Sequence, residues 1–126
     1  LGALDMATGE VVWATSLIEL DEPALSESLL RGPIESSEGT ILLTMVRSVN
    51  RQRLLTVGVV AFDVETGELR WIRQIGSIGV VPWVRRPEAT ELALIRDGIM
   101  YRADRIGVIA AIEIDTGRIH WIRRVE

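Results

Sequence analysis

One eleven-residue phrase occurs three times in this chain of 126 residues. It reads ALDMATGEVVW from Ala3 to Trp13, AFDVETGELRW from Ala61 to Trp71, and AIEIDTGRIHW from Ala111 to Trp121. Recurrence on this scale restricts the fold to units that stack on copies of themselves, because one short unit cannot bury its own apolar face. Each copy divides into two strands and a turn. Upstream of the middle copy, LLTVGVVAFDV is rich in β-branched residues, and it is too short and glycine-marked for a helix. Gly9, Gly67 and Gly117, each preceded by threonine, can take the positive φ of a tight turn, and Asp5 and Asp63 can accept amides two or three residues on. Alternation after the turn predicts Leu69 and Trp71 on one face, with Glu68, Arg70 and Ile72 on the other. Val11 and Ile119 match Leu69, on the expected tryptophan face. Val12, Arg70 and His120 match one another and are expected to vary as half-exposed positions.

The tryptophans are 58 and then 50 residues apart, which leaves room for four strands per interval. A second set of turns falls in register: Gly39 in SEGT follows Trp13 by 26 residues, and Gly98 in RDGI follows Trp71 by 27. The next interval is 24 residues in one unit (Gly39 to Asp63) and 15 in the other (Gly98 to Glu113). The nine extra residues are read as an inserted polar loop at Arg47–Leu55. The expected strands are 32–36, 41–46, 56–64 and 68–75 in one unit, and 91–95, 99–103, 107–114 and 118–125 in the next. The expected organisation is therefore all-β: residues 1–15 as the outer hairpin of a preceding unit, 16–75 as one four-stranded antiparallel unit, and 76–126 as a second. Four-stranded units of this length are the mark of a β-propeller.

The phrase A-x-D-x-x-T-G-x-x-x-W resembles the tryptophan-docking repeat of the PQQ-like β-propellers, and the likeness covers nearly the whole chain. That superfamily includes quinoprotein dehydrogenases, a propeller lipoprotein of outer-membrane-protein assembly, and propellers fused to bacterial kinases and hydrolases. The resemblance implies that Trp13, Trp71 and Trp121 pack between neighbouring blades, and that Ala3, Ala61 and Ala111 are small so that the next blade can approach. It departs from the repeat at Glu113, which stands in the aspartate position. It implies a bacterial, periplasmic or cell-envelope setting. Two blades and a hairpin do not close a ring of about 4–8 blades. The expectation is one arc of a larger chain, or several copies that complete a ring, since a lone arc exposes an apolar blade face. The opening without Met, inside a repeat, places the true start and any targeting signal elsewhere.

Composition excludes several function classes. The chain is 48% hydrophobic and 25% charged, which is globular and not disordered. A net charge of −4 argues against a nucleic-acid surface. No apolar run reaches the roughly 20 residues of a membrane-spanning helix. Without cysteine there is no thiolate metal site or cysteine nucleophile, and without lysine there is no P-loop. His120 is the only histidine, and it reads as a solvated strand position. Asp5, Asp63, Asp115, Glu65 and Glu113 recur at turns and read as turn formers; DVETG and EIDTG lack the alternating ligands of a calcium loop.

Two groups remain as possible partner contacts. Trp83 with Arg85 and Arg86 lies in the connector VVPWVRRPE, and Trp and Arg are enriched at binding hot spots. Trp83 reads equally as a cap on the blade edge. Arg51 and Arg53, with Arg47, mark the expected inserted loop, where a phosphate or acidic partner is the alternative to solvent. No catalytic, metal or cofactor residue is assigned. The expected function is a non-catalytic scaffold or protein-interaction surface, with other blades or subunits as partners. The resemblance carries two alternatives: a PQQ-dependent dehydrogenase fragment with calcium, and a sensor propeller fused to a kinase.

Overall fold

Glycine turns and β-branched runs yield ten strands in the described part of the chain. The computed structural model describes residues 1–15, 28–37, 39–49, 54–79, 92–104 and 107–124. The strands are β1 (Gly2–Leu4), β2 (Val11–Ala14), β3 (Ser28–Ser37), β4 (Thr40–Val49), β5 (Leu54–Asp63), β6 (Leu69–Gly79), β7 (Leu92–Arg96), β8 (Ile99–Ala103), β9 (Val108–Glu113) and β10 (Ile119–Arg124). All pairings are antiparallel between chain neighbours. They form a two-stranded sheet, β1-β2, and two four-stranded sheets, β3-β4-β5-β6 and β7-β8-β9-β10. Among the described residues there is no helix, hence none long and apolar enough to cross a membrane. The architecture is all-β, an arc of four-stranded propeller blades.

The central strand β5 shows why the sheets stack. Val59, Val60, Ala61 and Phe62 are all fully buried, so both faces of the strand are covered. One face carries Val57, Val59, Ala61, Trp71 and Ile75, and it packs with Met100, Ala110, Ile112 and Ile114 of the last sheet. The other face gathers Leu43, Met45, Val60 and Phe62, flanked by Leu30, Ile41, Leu69 and Ile72. Burying each such aliphatic side chain contributes on the order of 1.5–3 kcal/mol.

Two expectations are corrected here. Leu69 does not share the Trp71 face. The pairing runs Ala61↔Trp71 and then Phe62↔Leu69, which leaves Arg70 as the extra residue of a β-bulge. The same slip recurs as Ala3↔Trp13 beside Leu4↔Val11, and as Ala111↔Trp121 beside Ile112↔Ile119. A bulge inverts the alternation, so Leu69 joins the opposite cluster and Ile119 packs into the inter-sheet core. Val11, 65% exposed, packs into neither cluster.

The second correction concerns Arg47–Leu55, which is not simply an inserted loop. β4 and β5 stay in register from Thr40↔Asp63 to Val49↔Leu54. The extra residues lengthen this hairpin: β4 and β5 have ten residues each, against five in β8 and six in β9. Continuing the ladder satisfies backbone groups that a loop would leave to solvent. The strand limits shift in the same sense, with β3 starting at Ser28 and β6 running to Gly79, inside the stretches read as connectors.

Candidate protein-interaction surface

The turn of the repeated phrase is built from its own polar atoms. In the middle copy, Gly67 N donates to Asp63 O at 2.9 Å and Asp63 N to Glu68 O at 2.8 Å. Asp63 Oδ1 accepts the amides of Glu65 and Thr66 at 2.9 and 3.1 Å. The Thr66 hydroxyl accepts Glu68 N at 3.2 Å, which gives the threonine before glycine its job. The first copy repeats these bonds through Asp5 and Thr8. In the last copy the longer Glu113 instead takes the Thr116 hydroxyl, at 3.0 Å.

Arg70 and His120 share a job that alternation alone does not reveal. Arg70 Nη2 lies 2.9 Å from Asp63 Oδ2, and His120 Nε2 lies 3.2 Å from Glu113 Oε2. Each ties the outer strand to the acid of its own turn, whereas Val12 at the matching position is apolar and exposed. The hydrogen bond from Arg70, aided by the amides of Thr66 and Glu65, lowers the Asp63 pKa to about 2. Asp5 is also lowered, by the amides of Thr8 and Ala7.

The tryptophans act across sheets. Trp13 Nε1 donates to Val64 O at 2.8 Å, and Trp71 Nε1 donates to Ile114 O at 2.8 Å. Each ring lies on the glycine of that next turn. A Cβ added at Gly67 would stand 2.3 Å from Trp13 Cε3, and one at Gly117 would stand 2.5 Å from Trp71 Cδ2. Glycine is thus required twice, by φ of +74° and +73° and by the indole above it. A third contact comes from two residues past each tryptophan. Thr15 Oγ1 donates to Gly67 O at 3.0 Å, and Arg73 Nε donates to Gly117 O at 2.7 Å. This clasp is missed by sequence reading, since Thr15 and Arg73 lie outside the recurring phrase.

The third tryptophan is different. Trp13 and Trp71 are 8% and 6% exposed, but Trp121 is 37% exposed, with only a tilted Tyr101 ring 6.3 Å away. Its sheet face continues into an open, largely apolar recess lined by Ala93, Leu94, Tyr101, Arg102, Ala103 and Ile109. Ala61 and Ala111 are buried and pair with Trp71 and Trp121; Ala3, half-buried, pairs with Trp13. Arg102 and Asp104, both buried, approach to 3.9 Å, a pair that no motif announces. Trp83, Arg85, Arg86, Arg51 and Arg53 lie outside the described residues, and Arg47 stands in β4 opposite Thr56.

The family model described as outer membrane protein assembly factor BamB matches residues 1–126. The chain belongs to that family. Among solved structures, BamB from Moraxella catarrhalis aligns with 98% of this BamB-family chain at 17% identity and a TM-score of 0.39. The aligned part is 46% of that protein, so the chain spans about half its length. No curated protein matches it.

The quinone cofactor of other PQQ-like propellers does not fit the residues described. A polycarboxylate quinone with calcium needs cations and acid ligands gathered toward the ring axis. Strand β7, the inner strand of the last sheet, reads LALIR, and its one cation, Arg96, sits at the strand end beside Asp97. Among the described residues no three His, Asp or Glu side chains converge on a common point. What the arrangement offers is adhesion: a donor, a ring and a clasp that fasten one sheet to the turn of another.

Proposed function

We propose that this BamB-family chain is a non-catalytic propeller segment, working without a bound cofactor as a scaffold for protein assembly in the bacterial cell envelope. The observation that carries the reading is the use made of the repeated phrase. Its aspartate and threonine build the turn, its glycine seats an indole, and its tryptophan fastens the next sheet. None of these groups is paired with a base or nucleophile as acid–base or covalent chemistry requires. The family description, an assembly factor for outer membrane proteins, supports an envelope setting. Trp83, Arg85 and Arg86 are the proposed partner anchors, with Arg51 and Arg53 as a secondary contact, because buried Trp and Arg dominate hot spots.

The test is a photo-reactive residue placed at position 86 of the protein in its native cell. One discrete envelope-protein adduct that disappears with Trp83→Ala supports the reading. Absence of any adduct, or one indifferent to Trp83→Ala, counts against it. Protein equilibrated with PQQ and Ca²⁺ and then desalted should retain no quinone absorbance; retained quinone would replace the scaffold reading with a dehydrogenase.

A further inference from the structure

The chain contains two complete joints and the two halves of a third. A complete joint has an indole N–H on the carbonyl three residues before a turn glycine, the ring on that glycine, and a clasp on the glycine carbonyl. Both are made in full, by Trp13 with Thr15 on Val64 and Gly67, and by Trp71 with Arg73 on Ile114 and Gly117. At one end, Trp121 has no such turn beneath it and is 37% exposed. Arg123, two residues on, already makes the backbone contact that poses Arg73: Nη1 to Ile122 O at 3.0 Å, as Arg73 Nη1 meets Ile72 O at 2.7 Å.

The other end carries the complementary half. The Asp5–Gly9 turn is fully formed, with Gly9 N on Asp5 O at 2.8 Å and φ of +72° at Gly9. Yet a Cβ added at Gly9 would meet nothing within 4 Å, where the same atom at Gly67 or Gly117 would strike an indole. Met6, which holds the place of Val64 and Ile114 three residues before the glycine, is wholly exposed. The open recess beside Trp121 faces away from the buried inter-sheet core, and Leu4, Val11 and Val12 expose apolar surface beside the vacant turn.

We infer that copies of this chain associate head to tail, Trp121 and Arg123 of one copy seated on the Met6–Gly9 turn of the next. The contact is heterologous: the two surfaces differ, and repetition yields a ring if the rotation closes and a filament if it does not. It repeats a joint that the chain makes twice within itself, so its chemistry is already specified. The inference is independent of the partner proposed at Trp83.

Sedimentation velocity on the full chain over a concentration series tests it. The wild-type chain should show mass increasing with concentration. Trp121→Ala removes one half of the joint. Gly9→Asn removes the other while keeping the turn, since Asn tolerates positive φ but adds a Cβ where the ring must lie. Each variant alone should be monomeric, with association weakened about 30-fold or more, as for loss of a central tryptophan. Mixed in equal amounts, the two should form a one-to-one dimer, because each retains the half the other lacks; that positive signal also proves both folded. Three outcomes overturn the inference: a wild-type chain that stays monomeric with Trp121 open to a quencher, one that stays monomeric because further blades of the same polypeptide shield Trp121, or association that survives Gly9→Asn.

Discussion

The sheets β3–β6 and β7–β10 carry the same phrase in the same strand order, yet their tryptophans have opposite fates. Trp71 is 6% exposed because the turn at Ile114–Gly117 lies under it, and Trp121 is 37% exposed because no equivalent turn is there. The strands echo this: all seven residues from Thr56 to Phe62 in β5 are buried, whereas β9 alternates at its ends. The motif therefore encodes one side of a joint, and burial is conferred by the neighbour. The same indole is structural glue in one sheet and an adhesive surface in the other.

The sharpest way to break this comparison is to truncate both indoles in dilute, monomeric protein. Trp71→Ala should cost about 3–5 kcal/mol, read as a shift in the urea midpoint, because it opens a cavity between two sheets. Trp121→Ala should cost about 1 kcal/mol, the value of a half-exposed ring that meets one aromatic neighbour. Equal losses would mean that the two indoles have equivalent surroundings, and the comparison would fail.

The glycines give a second contrast. Gly9→Ala and Gly117→Ala both force alanine to positive φ, at about 1–2 kcal/mol. Gly117→Ala must also displace the Trp71 ring, 2.5 Å from the new Cβ, which adds about 1–3 kcal/mol. Thermal unfolding of the pair isolates that packing share. Next comes the clasp: Arg73→Ala should destabilise by about 1 kcal/mol through the lost hydrogen bond to Gly117 O, and Arg123→Ala should be near neutral in the monomer.

The smallest effect separates the turn acids. Asp63 has a folded pKa of about 2, below its unfolded value near 4, so its contribution is complete above pH ~4 and is lost as pH falls through about 2. Asp63→Asn should flatten the acid limb of the stability profile in that window. Asp5→Asn should flatten it less, since Asp5 is lowered by two amides without an arginine. Both carboxylates are exposed, so salt should shrink the difference.

Much of this was legible in the linear chain. Turn glycines, the aspartate and threonine beside them, and the blade repeat rest on local chemistry: φ preferences, amides within three residues, and runs of β-branched side chains. The PQQ-like family assignment rests on the same phrase. The face of Leu69 was not legible, because one extra residue in a bulge inverts everything upstream of it, and no local composition marks the slip. The pairing of Ser48 and Val49 with Leu55 and Leu54 was hidden by a polar, arginine-bearing stretch that reads as loop.

By itself the sequence determined the parts: hairpins, turns, blades and the tryptophans that fasten them, since each is decided within a few residues. Tertiary structure alone decided which turn each tryptophan rests on, with acceptors 51 and 43 residues further along the chain. It alone revealed Thr15 and Arg73 as clasps, and Trp121 and Gly9 as two unmatched halves. An indole's burial depends on a surface that another sheet brings to it, and no window of sequence contains both.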